Sequence, residues 1–85
     1  MKAVFVTVGS TGFDQLVSVV CSTEFINTLH LDGFGKIVVQ YGQSEAFFHP
    51  PPNLDPSILI SGFSYKKDLS QYYEDADLVI SHAGT

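Results

Sequence analysis

The chain has 85 residues, with nine acidic side chains against four lysines and a formal net charge of −5. That length suits one small domain, and the acidic balance argues against nucleic acid and against direct binding to anionic lipid. A single cysteine, Cys21, excludes an intramolecular disulfide, and no run nears the roughly 20 apolar residues needed to span a bilayer.

The first element spans residues 3–8, which are β-branched or aromatic and almost continuously apolar. That pattern predicts a strand buried on both faces, as in a parallel sheet. The run is strand-length, too short for a secretory signal. Gly9, Ser10, Thr11 and Gly12 break it. From Phe13 the period changes: Phe13, Leu16, Val17, Val20 and Cys21 form the stripe of an amphipathic helix. Thr11 followed by Asp14 resembles a capping box. The helical pattern, with a break, continues through Phe25, Ile26 and Leu29, and Asp32, Gly33 and Gly35 end it.

Lys36 to Tyr41 read as a second strand closed by Gly42. Residues 43–57 carry Pro50, Pro51, Pro52 and Pro56, which predicts loop or polyproline II. Ser57 to Gly62 read as a third strand. Tyr65, Leu69, Tyr72, Tyr73 and Ala76 lie at helical spacing behind Ser64, a candidate N-cap, with the tyrosines packing on the sheet. Asp77 to Ser81 form a fourth strand. The order β-α-β-β-α-β predicts an α/β, Rossmann-like parallel sheet with right-handed crossovers.

Two turns fall at the carboxyl ends of predicted strands, where open α/β sheets bind ligands. In the first, Gly9 and Gly12 let backbone approach a ligand, while Ser10, Thr11 and the helix start supply donors to an anion. The same residues also suit a tight turn that binds nothing. The pattern is neither a dinucleotide fingerprint nor a P-loop. The second turn, Ser81, His82, Ala83, Gly84 and Thr85, is the richer candidate. His82 suits contact with a phosphate or sugar hydroxyl, a general-base role, or capping of a helix expected to follow Thr85; a lone histidine at a strand end is more often structural. Asp75 and Asp77 mimic a metal-binding Asp-x-Asp, but they precede a strand, at the amino edge, and read as solvated turn carboxylates. His30 and His49 lack partners at metal-ligand spacing, so no metal is expected. Gln40, Tyr41, Ser61 and Gly62 are placed to line a cleft.

Phe5-Val-Thr-Val-Gly-Ser-Thr11, Phe13-Asp14-Gln-Leu16, Val38-Val-Gln-Tyr-Gly42, Gly62-Phe63 and Asp77-Leu-Val-Ile-Ser-His-Ala-Gly-Thr85 carry a resemblance. Nearly the whole chain, apart from 43–56, resembles the catalytic subunits of the eukaryotic transferase that adds the second N-acetylglucosamine to dolichol-diphosphate-GlcNAc. These are similar to the donor-binding, C-terminal half of family 28 glycosyltransferases of the GT-B fold. The resemblance implies UDP-GlcNAc as donor, inversion at the anomeric carbon in a single displacement, and no cofactor or metal. It implies helix N-termini and backbone amides stabilising the departing diphosphate. It also implies a cytoplasmic chain held at the cytosolic face of the endoplasmic reticulum by a membrane-anchored partner subunit, which completes the cleft without insertion of this chain.

Carried over by position, Gly9, Ser10 and Thr11 match the family's first cleft loop, and Ser81 to Thr85 its donor loop. In the family a helix and further βα units follow, holding an acidic residue for the ribose, a Gln/Asn-rich segment for the sugar and a helix that docks on the partner. The chain is therefore expected to be the front part of one domain, truncated at the donor loop. Two other readings compete: a non-catalytic module that binds the membrane-anchored partner, and an unrelated small nucleotide-binding α/β domain.

Overall fold

A computed structural model describes residues 2–82. Four strands, β1 (Lys2–Thr7), β2 (Phe34–Gln40), β3 (Leu59–Phe63) and β4 (Leu78–Ser81), form one sheet in the order β3-β2-β1-β4. Every pairing is parallel. The α/β, Rossmann-like expectation is met. Val4, Phe5, Val6, Thr7 and Val8 are all buried, as a central strand covered on both faces requires.

Successive side chains point to opposite faces, so in-register residues share a face. Val4, Val6 and Val8 join Ile37, Val39 and Tyr41 on one side. There they meet Val17 and Val20 of α1 (Asp14–Val20) and Ile26 and Leu29 of α2 (Thr23–Leu31). The other face carries Phe5, against which Tyr72 of α3 (Ser70–Asp75) stacks at 5.3 Å while Tyr73 meets it edge-on at 5.3 Å. Tyr72 also packs on Phe63 at 4.9 Å. Aromatic pairs of this kind contribute about 0.5–1.5 kcal/mol each beyond their burial. No helix among the described residues is long and apolar enough to cross a membrane.

The expected helical break falls at Cys21–Ser22, and Ser22 caps α2 by accepting from Phe25 N–H at 3.2 Å. Asp32 and Gly33 (φ 90°) end α2 where expected. The capping box at Thr11 does not form: α1 starts at Asp14 behind Phe13, which makes no side-chain cap. The Asp14 carboxylate instead accepts from Ser44 Oγ at 2.7 Å. The Pro-rich stretch contains a 3-10 turn, Glu45–Phe47, and its Phe48 packs on Tyr41 with ring centroids 5.2 Å apart.

The last helix is much shorter than its spacing predicts. Ser64 caps nothing, because its carbonyl is drawn to β2, accepting from Gly42 N–H at 2.9 Å and Gln40 Nε2 at 2.7 Å. Tyr65 consequently lies outside the helix and is exposed, contrary to the expectation that it packs on the sheet. The helix start is served by Asp68, whose Oδ1 accepts from Ser70 Oγ at 2.6 Å and Ser70 N–H at 2.9 Å. Those two bonds hold the Asp68 carboxyl below its ordinary range.

A depressed carboxylate stabilises the fold above its unfolded pKa, about 4, and loses that contribution as pH falls through the folded value. Urea unfolding followed on acidification should therefore show stability falling below about pH 4, with a shallower fall in Asp68→Ala. Identical acid limbs in the two chains would remove Asp68 from the account.

Candidate functional site

β1 leads outward to β2 and β3 on one side and pairs with β4 on the other, so the order reverses between β1 and β4. In open parallel sheets the crevice lies at such a reversal, beyond the carboxyl ends of the strands. Both candidate turns emerge there. Ser81 pairs in register with Thr7, and His82 N–H donates to Thr7 C=O at 3.1 Å. The start of the second turn therefore lies at the same rim as the Gly9 turn. Ala83, Gly84 and Thr85 fall outside the described residues.

The Gly9–Gly12 turn is shaped by three glycines with left-handed backbone: Gly9 (φ 81°), Gly12 (φ 84°) and, from the loop after β2, Gly42 (φ 58°). A Cβ on Gly42 would collide with Gly9 O and come within 2.8 Å of Gly12 N. A Cβ on Gly12 would sit 2.5 Å from Ser44 Oγ. The two loops are thus packed backbone against backbone, a contact open only to glycine.

Gln40 fastens the rim from below. It is 2% exposed, at the end of a strand whose preceding residues Ile37, Val38 and Val39 are buried and apolar. Its Oε1 accepts from Thr7 Oγ1 at 2.6 Å and Gly9 N–H at 3.0 Å. Its Nε2 donates to Gly9 C=O at 3.0 Å and Ser64 C=O at 2.7 Å. Both backbone groups of Gly9 are consequently spent inside the protein. Gly9 shapes the turn but presents no free N–H to a ligand, contrary to its expected part in binding, while Ser10 and Thr11 beside it are exposed. Gln40 is likewise not the cleft-lining residue expected, since the rim covers it. The available sequence signal was a lone amide closing an apolar strand.

His82 is partly buried, its ring tilted against Phe13 with centroids 4.3 Å apart, and its Nδ1 has no hydrogen-bond partner among the described residues. The ring therefore links the two turns by packing. Among the described residues no group of three His, Cys, Asp or Glu side chains can hold a metal. Asp75 and Asp77 lie at the amino rim, as expected. Asp77 is not merely solvated: its Oδ2 accepts from Ala3 N–H at 2.8 Å, and its own N–H donates to Ala3 C=O at 2.8 Å.

A serine, a histidine and an aspartate also meet at the amino rim, without the geometry of a nucleophilic triad. Ser57 Oγ lies 3.2 Å from His30 Nε2 but donates its proton to Asp55 Oδ1 at 2.7 Å. A triad needs the reverse, with the acid on the imidazole and the hydroxyl proton facing the ring. The bonds from Ser57 hold the Asp55 carboxyl low. Cys21 is buried, which pushes its thiol up and away from nucleophilic use. A cavity of about 230 Å³ opens under α3, lined by Ala3, Phe5, Val38, Tyr72 and Asp75. It belongs to the amino halves of β1 and β2, away from the two turns.

Residues 3–85 match the family described as the glycosyltransferase family 28 C-terminal domain. The chain is 42% identical over 85 residues to a protein of Yarrowia lipolytica named UDP-N-acetylglucosamine transferase subunit ALG13, covering all of this chain and 43% of that protein. It is 39% identical over 84 residues to the Mus musculus protein of the same name and 37% identical over 84 residues to that of Homo sapiens. In each mammalian case 99% of this chain aligns to 7% of the relative. The chain thus spans less than half the length of these relatives. No solved structure matches it significantly.

Gly42→Ala should displace the Gly9–Gly12 turn and destabilise the chain by about 1–3 kcal/mol, the usual cost of overpacking. Urea denaturation measures it. A variant as stable as wild type would show that the two loops are not in backbone contact.

Proposed function

The chain belongs to the family 28 glycosyltransferases, matching their C-terminal domain, and on that premise we propose that it supplies the donor-binding wall of a UDP-GlcNAc transferase. The observation that carries this reading is the meeting of the Gly9–Gly12 turn and the start of the Ser81 turn at the reversal of strand order. The reaction class is transfer of N-acetylglucosamine from UDP-GlcNAc to dolichol-diphosphate-GlcNAc. An acceptor hydroxyl oxygen forms the new bond to the anomeric carbon from the face opposite UDP. The bond from that carbon to the diphosphate oxygen breaks, UDP leaves with the electron pair, and the configuration inverts. The hydroxyl proton passes to a base contributed by the assembled enzyme.

The part of this chain is to hold UDP while charge builds on its diphosphate. Ser10 and Thr11 offer backbone N–H and hydroxyl donors, and preorganised donors of this kind stabilise developing charge without reorganisation. His82 closes the pocket from the β4 side, and a donor-binding part is assigned to Ala83, Gly84 and Thr85 from the family match alone. The acceptor side belongs to a membrane-anchored partner, which would keep this chain at the cytosolic face of the endoplasmic reticulum. Names carried by the relatives support the donor identity.

The test is UDP-GlcNAc transfer by the natural full-length chain with its partner, wild type against His82→Ala. Loss of the ring should lower kcat/KM by about tenfold or more, and titration should give tighter binding of UDP than of ADP or NAD. Wild-type rates in the variant would remove His82 from the site. Binding of the partner without turnover by wild type would favour a non-catalytic module, and equal affinity for all three nucleotides an unrelated nucleotide-binding domain.

A further inference from the structure

We propose that Gln40 is a positioning residue for the donor cleft: one buried amide sets the loop after β1 and the loop after β3 at a common height on β2. This rests on the reading of the rim as a nucleoside-diphosphate site. Gln40 touches no ligand; it acts through the backbone of Gly9 and Ser64.

The orientation of the amide follows from its neighbours. The atom beside the Thr7 hydroxyl and Gly9 N–H must be the acceptor, and the atom beside two carbonyl oxygens must be the donor. In that orientation all four bonds are made: both N–H protons donate, to Gly9 and Ser64, and Oε1 accepts twice. Holding Gly9 by both N–H and C=O fixes the peptide planes on either side of it at φ 81°. Ser10 and Thr11 follow directly, so the plane that Gln40 sets decides where they start.

The second arm is the Ser64 carbonyl, which Gln40 shares with Gly42 N–H. Gly42 in turn abuts Gly9 O and Ser10 O. The first loop, the third loop and the end of β2 therefore form one backbone unit, with Gln40 as the only side chain among the described residues bonded to both loops. Asparagine is one methylene too short for this reach. Glutamate has the size but turns an acceptor toward the carbonyls of Gly9 and Ser64, which repels both arms.

A purely structural role and a positioning role differ in what they do to donor affinity at equal stability. The experiment compares wild type, Gln40→Glu and Val39→Ala in the natural full-length chain with its partner, recording Tm and steady-state kinetics with UDP-GlcNAc. Val39 is a neighbouring core residue on the opposite face of β2 and controls for lost stability. Gln40→Glu should raise KM for UDP-GlcNAc by about tenfold or more, whereas Val39→Ala should keep KM within about twofold despite its lower Tm. A folded Gln40→Glu with wild-type KM overturns the proposal, as does an equal KM rise in Val39→Ala. Should Gln40→Glu not fold, Thr7→Val withdraws one bond from the same amide. It should raise KM by about threefold or more, and an unchanged value overturns the proposal. A wild type that neither turns over UDP-GlcNAc nor binds UDP overturns the donor reading and this inference with it. An active wild type beside an unaffected variant overturns this inference alone.

Discussion

At its carboxyl end, after the apolar run Ile37, Val38 and Val39, β2 places a buried glutamine. A buried primary amide is costly unless each donor and acceptor is matched. Here the matching groups are the ends of the two neighbouring strands. The cost of burying Gln40 is thereby converted into a constraint: β1 and β3 must release their loops at the same level as β2. The glycine contacts between Gly42 and the Gly9–Gly12 turn close the same unit from above.

That unit matters because of the strand order. β1 has β2 on one side and β4 on the other, so the turn after β1 and the start of the turn after β4 emerge at the reversal of strand order, where open parallel sheets form their crevice. One wall of the crevice is fixed by the Gln40 unit. The other is fixed by the register of β4, through Ser81 beside Thr7 and the His82 N–H bonded to Thr7 C=O. The amino rim is organised separately, by Asp77 on Ala3 and by the Ser57, Asp55 and His30 contacts. The acidic side chains that suggest metal or triad chemistry lie there, at the opposite end of the strands from the proposed donor site.

The strands and the α1–α2 hairpin were legible because each rests on a local signal. The uninterrupted β-branched run of β1 predicts burial on both faces, and Gly33, with its left-handed backbone, ends α2. The errors fall where a distant group competes for a local one. Thr11 and Asp14 have capping-box spacing, but Ser44, thirty residues away, takes the Asp14 carboxylate. Ser64 has N-cap chemistry, but Gln40 and Gly42 take its carbonyl, and the helix moves to Ser70. Of the site, the two turns could be found from their residue types. That Gly9 spends its backbone on Gln40 could not, because the partner is separated by 31 positions and only the parallel register brings the two together.

The central claim is that the ligand rim is the carboxyl end of β1 and β4. Hydrogen–deuterium exchange of the natural full-length chain, with and without UDP, tests it most directly. The account predicts slower exchange on UDP addition at Ser10, Thr11 and the Ser81–His82 segment, with Ala3, Asp75 and Asp77 unchanged. Protection confined to the amino rim, around Ala3 and Asp77, would contradict it.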